Sequence, residues 1–192
     1  MVNKPAGLLS VPGRGAGKQD SLATRVQAEF SDALVVHRLD MATSGLLVFA
    51  RGAEMQRYLS RLFRERRMEK SYVAVVAGQI KPAVGEINLP LISDWPNRPR
   101  QKVDLAIGKH SLTRYLLLDN DATTDTSRVK LEPVTGRTHQ LRVHLAIIGH
   151  PIVGDALYGG NAARRLLLHA RMLSFDHPLS EKPLILVCEP PF

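Results

Sequence analysis

The chain of 192 residues is poor in several features that would have indicated particular classes of protein. Its one cysteine, Cys188, excludes an internal disulfide framework and is typical of a reducing compartment. Apolar residues form no run of the roughly 18 that a membrane span needs, and the N-terminus has no apolar signal core. These absences predict a cytoplasmic protein that contains no membrane segment.

The common metal and nucleophile motifs are also missing. Seven histidines occur, but His139 and His144 are five positions apart and do not stack on one helix face. There is no H-E-x-x-H sequence and no cysteine pair, and Ser44 does not lie in a G-x-S-x-G turn. We therefore expect no metal site and no serine or cysteine nucleophile.

Acidic residues are too few to balance the basic ones. The 26 basic residues, 18 of them arginines, exceed the 18 acidic residues and give a net charge of +8. Arginine binds phosphate through two parallel hydrogen bonds and stacks on flat rings, so this bias favours a nucleic-acid partner. Charge alone leaves open an ordinary enzyme with a basic surface.

The segment patterns predict an α+β fold in which strands dominate and helices are few. A chain of this length buries roughly 70% of its unfolded surface without disulfides. We find no repeat, low-complexity segment or composition shift that would mark a linker. The expected organisation is one domain over residues 1–192, with two lobes.

Two segments have the period of a helix. Residues 53–68 place Leu59 and Leu62 with Phe63 on one face. The basic side chains of the other face are either solvated or in contact with an RNA backbone; they are Arg57, Arg61 and Arg64. Residues 135–151 predict a second helix, with Thr138 as N-cap and a stop at Gly149 and Pro151.

Short apolar strands are predicted at 34–36 and 46–50, and they flank the sequence His37-Arg38-Leu39-Asp40. A polar segment at 121–126 joins two further strand patterns into a predicted β-hairpin. An aspartate three positions before Thr43 can simply order a turn through side-chain to backbone hydrogen bonds. From the residues alone, Asp40 is either such a turn residue or part of a working site.

Four stretches, in this order and at these separations, resemble the RluA family of pseudouridine synthases. They are "NKPAGLLSVPGR" (3–14), "HRLDMATSGLLVFAR" (37–51), "EKSYVAVV" (69–76) and "GRTHQLRVHLAIIGHPIVGDALYG" (136–159). The resemblance spans essentially the whole chain and implies a mixed, largely antiparallel sheet with a central RNA-binding cleft. Members of the family usually have one more strand before the motif at residues 3–14. The chain therefore either lacks an edge strand of the sheet through truncation or begins at a different start site. No S4-type RNA-binding domain precedes the motifs.

The resemblance also implies the chemistry and the residues that perform it. The reaction breaks the N1–C1′ bond of a uridine, rotates the uracil and rejoins it through C5, without cofactor or metal. Asp40 corresponds to the catalytic aspartate, Arg142 to its guanidinium partner, and Tyr72 to the tyrosine beneath the uracil ring. Because a uridine in a folded loop must be extruded, a side chain has to fill the gap it leaves. Arg38 is our candidate for that role.

The loop "DWPNRPRQKV" (94–103) is similar to the branch that modifies both tRNA and 23S rRNA. It implies as substrates uridine 32 of a tRNA anticodon stem-loop and a uridine of 23S rRNA. We expect the loop to grip RNA through one aromatic and three basic side chains, namely Trp95, Arg98, Arg100 and Lys102. The alternative is that Trp95 packs into the core. No protein partner is evident in the sequence, and we expect a monomer.

Two other functions stay open at this point. A catalytically inactive RNA-binding module of the same fold is one, although Asp40, Tyr72 and Arg142 are all present. A nucleoside hydrolase that uses Asp40 on the same bond is the other, but it needs an activated water and usually a metal or a carboxylate cluster. A test of the reaction product separates the three.

Overall fold

Strands outnumber helices in the computed structural model, which describes residues 1–178 and 180–192. The strands are β1 (Val2–Lys4), β2 (Ala33–Val35), β3 (Ser44–Leu47), β4 (Phe49–Arg51), β5 (Glu69–Ala77), β6 (Val84–Asn88), β7 (Leu91–Ser93), β8 (Gln101–Val103), β9 (Leu112–Asp121), β10 (Thr126–Pro133), β11 (Leu168–Asp176) and β12 (Pro183–Val187). The α-helices are α1 (Leu22–Glu29), α2 (Gly52–Arg64) and α3 (Gln140–Ile147). The predicted α+β class is confirmed.

The chain divides into two compact units. The first contains residues 1–70 and 169–191, and the second contains residues 71–168 and 192. In the first unit, β3 pairs antiparallel with β1 and parallel with β11, and β11 pairs antiparallel with β12. Strand β2 pairs separately with β4. The apolar faces of these strands and of α2 form the core, in which Leu46, Leu62 and Phe175 are buried.

Gly45 permits the parallel pairing of β3 with β11. Its φ angle is +115°, a region that side chains rarely adopt. A Cβ atom at this position would overlap the backbone of Ala170 on β11. The glycine two residues after Thr43 is therefore needed for the close approach of the two backbones.

The second unit has an antiparallel sheet in the order β5-β10-β9-β6, beside a small hairpin formed by β7 and β8. The hairpin predicted around residues 121–126 is present as β9 and β10. Helix α3 is buried over most of its length, and its His144 is fully enclosed. That imidazole bonds Thr113 Oγ1 at 2.9 Å and the Leu89 carbonyl at 3.0 Å, while burial lowers its pKa.

Both predicted helices differ from the structure at their ends. Helix α2 ends at Arg64 rather than residue 68, because Arg66 adopts a left-handed φ of 59° and the Arg67 N–H bonds the Leu62 carbonyl. Helix α3 begins at Gln140, and its N-cap position is His139, not Thr138. Residues 135–139 form a loop instead, since the Gln140 side chain accepts hydrogen bonds from the Thr135 hydroxyl and the Arg137 N–H.

The strand predicted over 46–50 is interrupted at Val48, between β3 and β4. The Val48 N–H donates to Nε2 of His37 at 3.0 Å, so the histidine satisfies an amide that the break leaves unpaired. The His37 ring also stacks on Phe63 of α2 at 4.4 Å. Burial, aided by the nearby Lys70 charge, lowers the His37 pKa from 6.5 to about 4. His37 is thus a neutral structural group at neutral pH.

We predict that His37 makes folding stability depend on acid. Between pH 6.5 and about 4 the unfolded chain binds a proton at this position that the folded chain does not, so stability falls as pH decreases. The loss across this window is at most about 3 kcal/mol. Urea unfolding of the native chain and of His37→Gln at several pH values measures the difference. A difference that is flat with pH would contradict this account.

Candidate active site

Hydrogen bonds from the Ser10 side chain, and one within the turn itself, fix the backbone of the loop that carries Asp40. The Ser10 hydroxyl donates to the Leu39 carbonyl at 2.7 Å and accepts from the Leu39 N–H at 3.0 Å. The Thr43 N–H bonds the Asp40 backbone carbonyl at 3.1 Å, so this turn bond does not use the Asp40 carboxylate. Leu39 is buried, Asp40 is half-buried and Arg38 is exposed. The loop therefore exposes Arg38 to solvent, while the buried Leu39 anchors the loop through its bonds to Ser10.

Lys4 anchors the same loop from β1. Its side chain is fully buried, and its Nζ donates to the carbonyls of Pro5 at 2.9 Å, Leu8 at 2.7 Å and Met41 at 3.0 Å. A buried ammonium needs such acceptors, because its desolvation is otherwise very costly. Lys4 and Ser10 both belong to the "NKPAGLLSVPGR" motif, and sequence analysis gave neither of them a role. Only the tertiary structure connects them to the residues on either side of Asp40.

Tyr72 and Arg142 belong to the second unit. Tyr72 is half-buried on β5, opposite Leu131 of β10. Arg142 lies on α3 and is only 5% exposed. Its Nε and Nη2 atoms each lie 2.7 Å from a carboxylate oxygen of Asp155, forming a bidentate ion pair. Paired hydrogen bonds of this kind fix the orientation of the guanidinium plane.

Asp155 is the buried partner of Arg142, and sequence analysis gave it no role. Its side chain is fully buried, and it also accepts the backbone N–H groups of Leu157 and Tyr158. Burial alone would raise its pKa, but the hydrogen bonds and charge of Arg142, with the two amides, lower it below the ordinary value. The only sequence signal was its place in the quoted "GDALYG" stretch. Its role depends on contact with Arg142, 13 positions earlier.

The predicted RNA-gripping loop is a structured turn at the tip of the β7–β8 hairpin. It contains a 3-10 helix at Trp95–Asn97, and the Asp94 N–H bonds the Arg100 carbonyl at 2.9 Å. Trp95 is 67% exposed, so the alternative in which it packs into the core is wrong. The Arg98 guanidinium carbon lies 3.0 Å from the centre of the indole ring. One indole face therefore already carries a positive charge.

The basic groups predicted for RNA contact are on the surface of their units. Arg98, Arg100 and Lys102 are exposed in the second unit. Helix α2 of the first unit buries Leu59 and Leu62 and exposes its arginines on the other face, namely Arg57, Arg61 and Arg64. This arrangement matches the predicted amphipathic pattern. It suits either a solvated surface or a phosphate contact.

Over residues 1–178 and 180–192, no three or more His, Cys, Asp or Glu side chains are grouped so that they could hold a metal ion. Within the same residues, no helix has the length and apolar character required to span a membrane.

Comparison with known proteins assigns the chain to a family. The family described as RNA pseudouridylate synthase matches residues 1–147. The chain belongs to this family. A curated relative is the "Dual-specificity RNA pseudouridine synthase RluA" of Escherichia coli (strain K12), 53% identical over 182 residues that cover 93% of this chain and 83% of the relative. The protein of the same name from Yersinia pestis is 50% identical, over 100% of this chain and 95% of its own.

Solved structures give the same family for this pseudouridine synthase. Human RNA Pseudouridylate Synthase Domain Containing 1 matches with a TM-score of 0.77 and 32% identity, over 90% of this chain and 75% of that one. Human RNA Pseudouridylate Synthase Domain Containing 4 also has a TM-score of 0.77, with 27% identity over 98% and 84% of the two chains. The protein is an isomerase that acts on uridines of RNA.

We predict that Asp155→Asn destabilises the enzyme strongly. Loss of the carboxylate leaves the buried Arg142 cation without its bidentate partner, which costs about 3–5 kcal/mol. For a chain of this size the midpoint of thermal unfolding should fall by about 10 °C. Calorimetry or circular dichroism measures the shift.

The matched control is Asp20→Asn. Asp20 forms a bidentate pair with Arg25 at 2.8 Å, but both side chains are more than half exposed. Exposed pairs contribute little to stability because water solvates both charges. The control should unfold almost as the native chain does. Equal losses in the two variants would show that burial of the Arg142–Asp155 pair is unimportant.

Proposed function

We propose that the enzyme has dual specificity and converts uridine 32 of a tRNA anticodon loop and a uridine of 23S rRNA to pseudouridine. The observation that carries the proposal is the identity of about 50% to proteins named dual-specificity RNA pseudouridine synthases, over most of both chains. The exposed Trp95–Arg98 stack agrees with a loop that binds folded RNA. Such RNA is made and modified in the cytoplasm, where we propose that the enzyme works. Its monomeric state stays a prediction.

In the proposed mechanism Asp40 starts the reaction at the ribose. Its carboxylate either attacks C1′ or removes a proton from C2′, and in both cases the N1–C1′ bond breaks with its electron pair on uracil. The uracil then rotates and C5 bonds to C1′. As C5 bonds to C1′, the Asp40–C1′ ester bond breaks in the first route, and in the second route Asp40 returns the proton to C2′. C5 then loses its proton and N1 gains one, so atoms and charge balance. The anchors at Lys4 and Ser10 support this role, because they hold the backbone on both sides of Asp40.

We assign the supporting roles to Arg142 and Tyr72. Arg142 stabilises negative charge in the site, and its bidentate contact with Asp155 holds the guanidinium in one orientation before RNA arrives. Tyr72 stacks beneath the uracil, and its hydroxyl takes part in moving the C5 proton. Neither role requires a metal or a cofactor.

In the proposed complex, exposed arginine and lysine side chains bind the RNA. The target uridine must leave its stack to react, and the exposed, flat head of Arg38 fills the gap in the RNA. The arginines of α2 contact phosphates, as do Arg98, Arg100 and Lys102. Trp95 stacks an unpaired base on the indole face opposite Arg98.

The test is Asp40→Asn assayed by tritium release from tRNA that carries 5-tritiated uridine. We expect turnover to fall at least about a hundredfold, since the neutral amide is neither nucleophile nor base. The Kd for tRNA should stay within about threefold, because phosphate contacts supply most of the affinity. Filter binding measures that constant. A variant with near-native turnover would remove Asp40 from the mechanism.

The same assay on the native enzyme separates the alternatives. A pseudouridine synthase releases tritium while the RNA keeps its mass. An RNA-binding module without activity releases none, and a hydrolase leaves an abasic site in the RNA. Mapping of the modified positions in tRNA and 23S rRNA then tests dual specificity directly.

A second prediction concerns the loop at residues 94–103. The double variant Arg98→Ala, Arg100→Ala should raise the KM for folded tRNA by about tenfold, because two phosphate-seeking charges are lost. The kcat should change little, and a minimal stem-loop substrate should be affected less. Steady-state kinetics on both substrates measures these effects.

The control for the loop prediction is Arg25→Ala with Arg114→Ala. Both arginines are exposed and paired with a carboxylate on the surface, so the change of net charge is the same. The control should leave KM nearly unchanged. If the loop variant instead lowers kcat at constant KM, the loop is not an RNA grip.

A further inference from the structure

Tyr158 joins the loop to the α3 segment through its hydroxyl group. Its Oη accepts a hydrogen bond from the Gln101 backbone N–H at 2.8 Å, at the start of β8. The same oxygen lies 2.8 Å from Nδ1 of His139, the residue that precedes α3. Because an amide N–H can only donate, the hydroxyl proton is available for the imidazole nitrogen. The hydroxyl of this half-buried tyrosine thus joins the end of the loop to the residue before α3.

The ring of the same tyrosine contacts the cations of both regions. The guanidinium carbon of Arg142 lies 5.2 Å from the ring centre, and that of Arg100 lies 5.5 Å from it. Both distances are within the range of attraction between a cation and an aromatic face. Arg142 belongs to the proposed catalytic site and Arg100 to the proposed RNA grip. A single side chain therefore touches both.

Asp155 accepts a hydrogen bond from the backbone of Tyr158. Its Oδ1 accepts the Tyr158 backbone N–H at 3.2 Å and also contacts Nη2 of Arg142 at 2.7 Å. The tyrosine and the arginine are thus positioned by the same buried carboxylate. One carboxylate oxygen therefore links the backbone of Tyr158 to the guanidinium of Arg142.

We propose that Tyr158 is a positioning residue whose hydroxyl secures the RNA-gripping loop and whose ring orients Arg142. The inference rests on the proposed function, since it needs the loop to bind RNA and Arg142 to act in the reaction. In this proposal Tyr158 acts through Gln101 and Arg142, and not directly on RNA or on the reacting atoms. Both parts of the side chain contact the loop, but only the ring reaches Arg142, so loss of the hydroxyl alone should change affinity and loss of the ring should also change the rate.

The experiment compares Tyr158→Phe with Tyr158→Leu in the 192-residue chain. The Phe variant loses the hydrogen bond to the Gln101 N–H but keeps the ring, so the Kd for folded tRNA should rise about fivefold. Its single-turnover rate at saturating enzyme should stay within about twofold of native. The Leu variant also loses the ring contact with Arg142, and its single-turnover rate should fall roughly tenfold. Filter binding and rapid-quench tritium release measure the two quantities.

Tyr115→Phe and Tyr115→Leu serve as matched controls. Tyr115 is a buried tyrosine of β9 in the same unit, 7% exposed, and has no role in the proposed site. Thermal unfolding of all four variants separates loss of stability from loss of function. The split between affinity and rate should occur only at position 158.

Three results would overturn the inference. An unchanged Kd in Tyr158→Phe would show that the hydroxyl does not secure the loop. Equal single-turnover rates in the two Tyr158 variants would show that the ring does not orient Arg142, and parallel losses at positions 158 and 115 would show a purely structural role. The proposed function fails differently, because then the native chain itself would form no pseudouridine in tRNA or 23S rRNA.

Discussion

The buried ion pair between Arg142 and Asp155 is the constraint around which the second unit is arranged. The two side chains are 5% and 0% exposed, so neither charge is solvated by water. Such a pair offsets its desolvation only with good geometry and with further hydrogen bonds to the carboxylate. Both conditions are met, since Arg142 binds through two nitrogens and two backbone amides complete the shell of Asp155. This requirement fixes α3 relative to the segment that follows residue 151.

The first unit uses buried polar groups for the same purpose, but around backbone atoms. Lys4 gathers three carbonyls, Ser10 satisfies both polar groups of Leu39, and His37 accepts the N–H at the break after β3. The bonds of Lys4 to Met41 and of Ser10 to Leu39 join the first motif to the short stretch around Asp40, and the His37 bond joins that stretch to Val48. A loop fixed in this way can present a carboxylate and an exposed arginine without losing its conformation. Rigid support of this kind is what a pre-organised site requires.

Recognition of RNA places a different demand on the molecule, namely charge that stays available at the surface. The arginines of α2 and of the β7–β8 turn are exposed, while the apolar side of α2 is buried in its own unit. The stack of Arg98 on Trp95 holds an aromatic surface and a cation ready in one place. In the proposed RNA complex, preordering of these two groups reduces the entropy lost on binding. In the second unit, Tyr158 contacts both the Gln101 end of the β7–β8 turn and the guanidinium of Arg142.

Local pattern was sufficient for much of the fold. The sequence was enough to predict the amphipathic period of α2 and the hairpin of β9 and β10, because both depend on residues that are close together in the chain. The excess of arginine needed only a count. Element ends were less predictable: the left-handed Arg66 ends α2, and the Gln140 side chain keeps residues 135–139 out of α3. Both effects arise from specific contacts that no periodicity contains. The break at Val48 was missed for the same reason, since its partner His37 lies 11 positions away.

The sequence by itself determined the family, because the order and spacing of its motifs can be recognised without knowledge of three-dimensional contacts. It therefore also identified Asp40, Tyr72 and Arg142 as the candidate catalytic residues. Only the tertiary structure decided that Trp95 is exposed, that Lys4 is fully buried and that Asp155 holds Arg142. The physical reason is that burial and pairing are properties of three-dimensional neighbours. An aspartate in a turn and an aspartate that neutralises a buried guanidinium are written with the same letter.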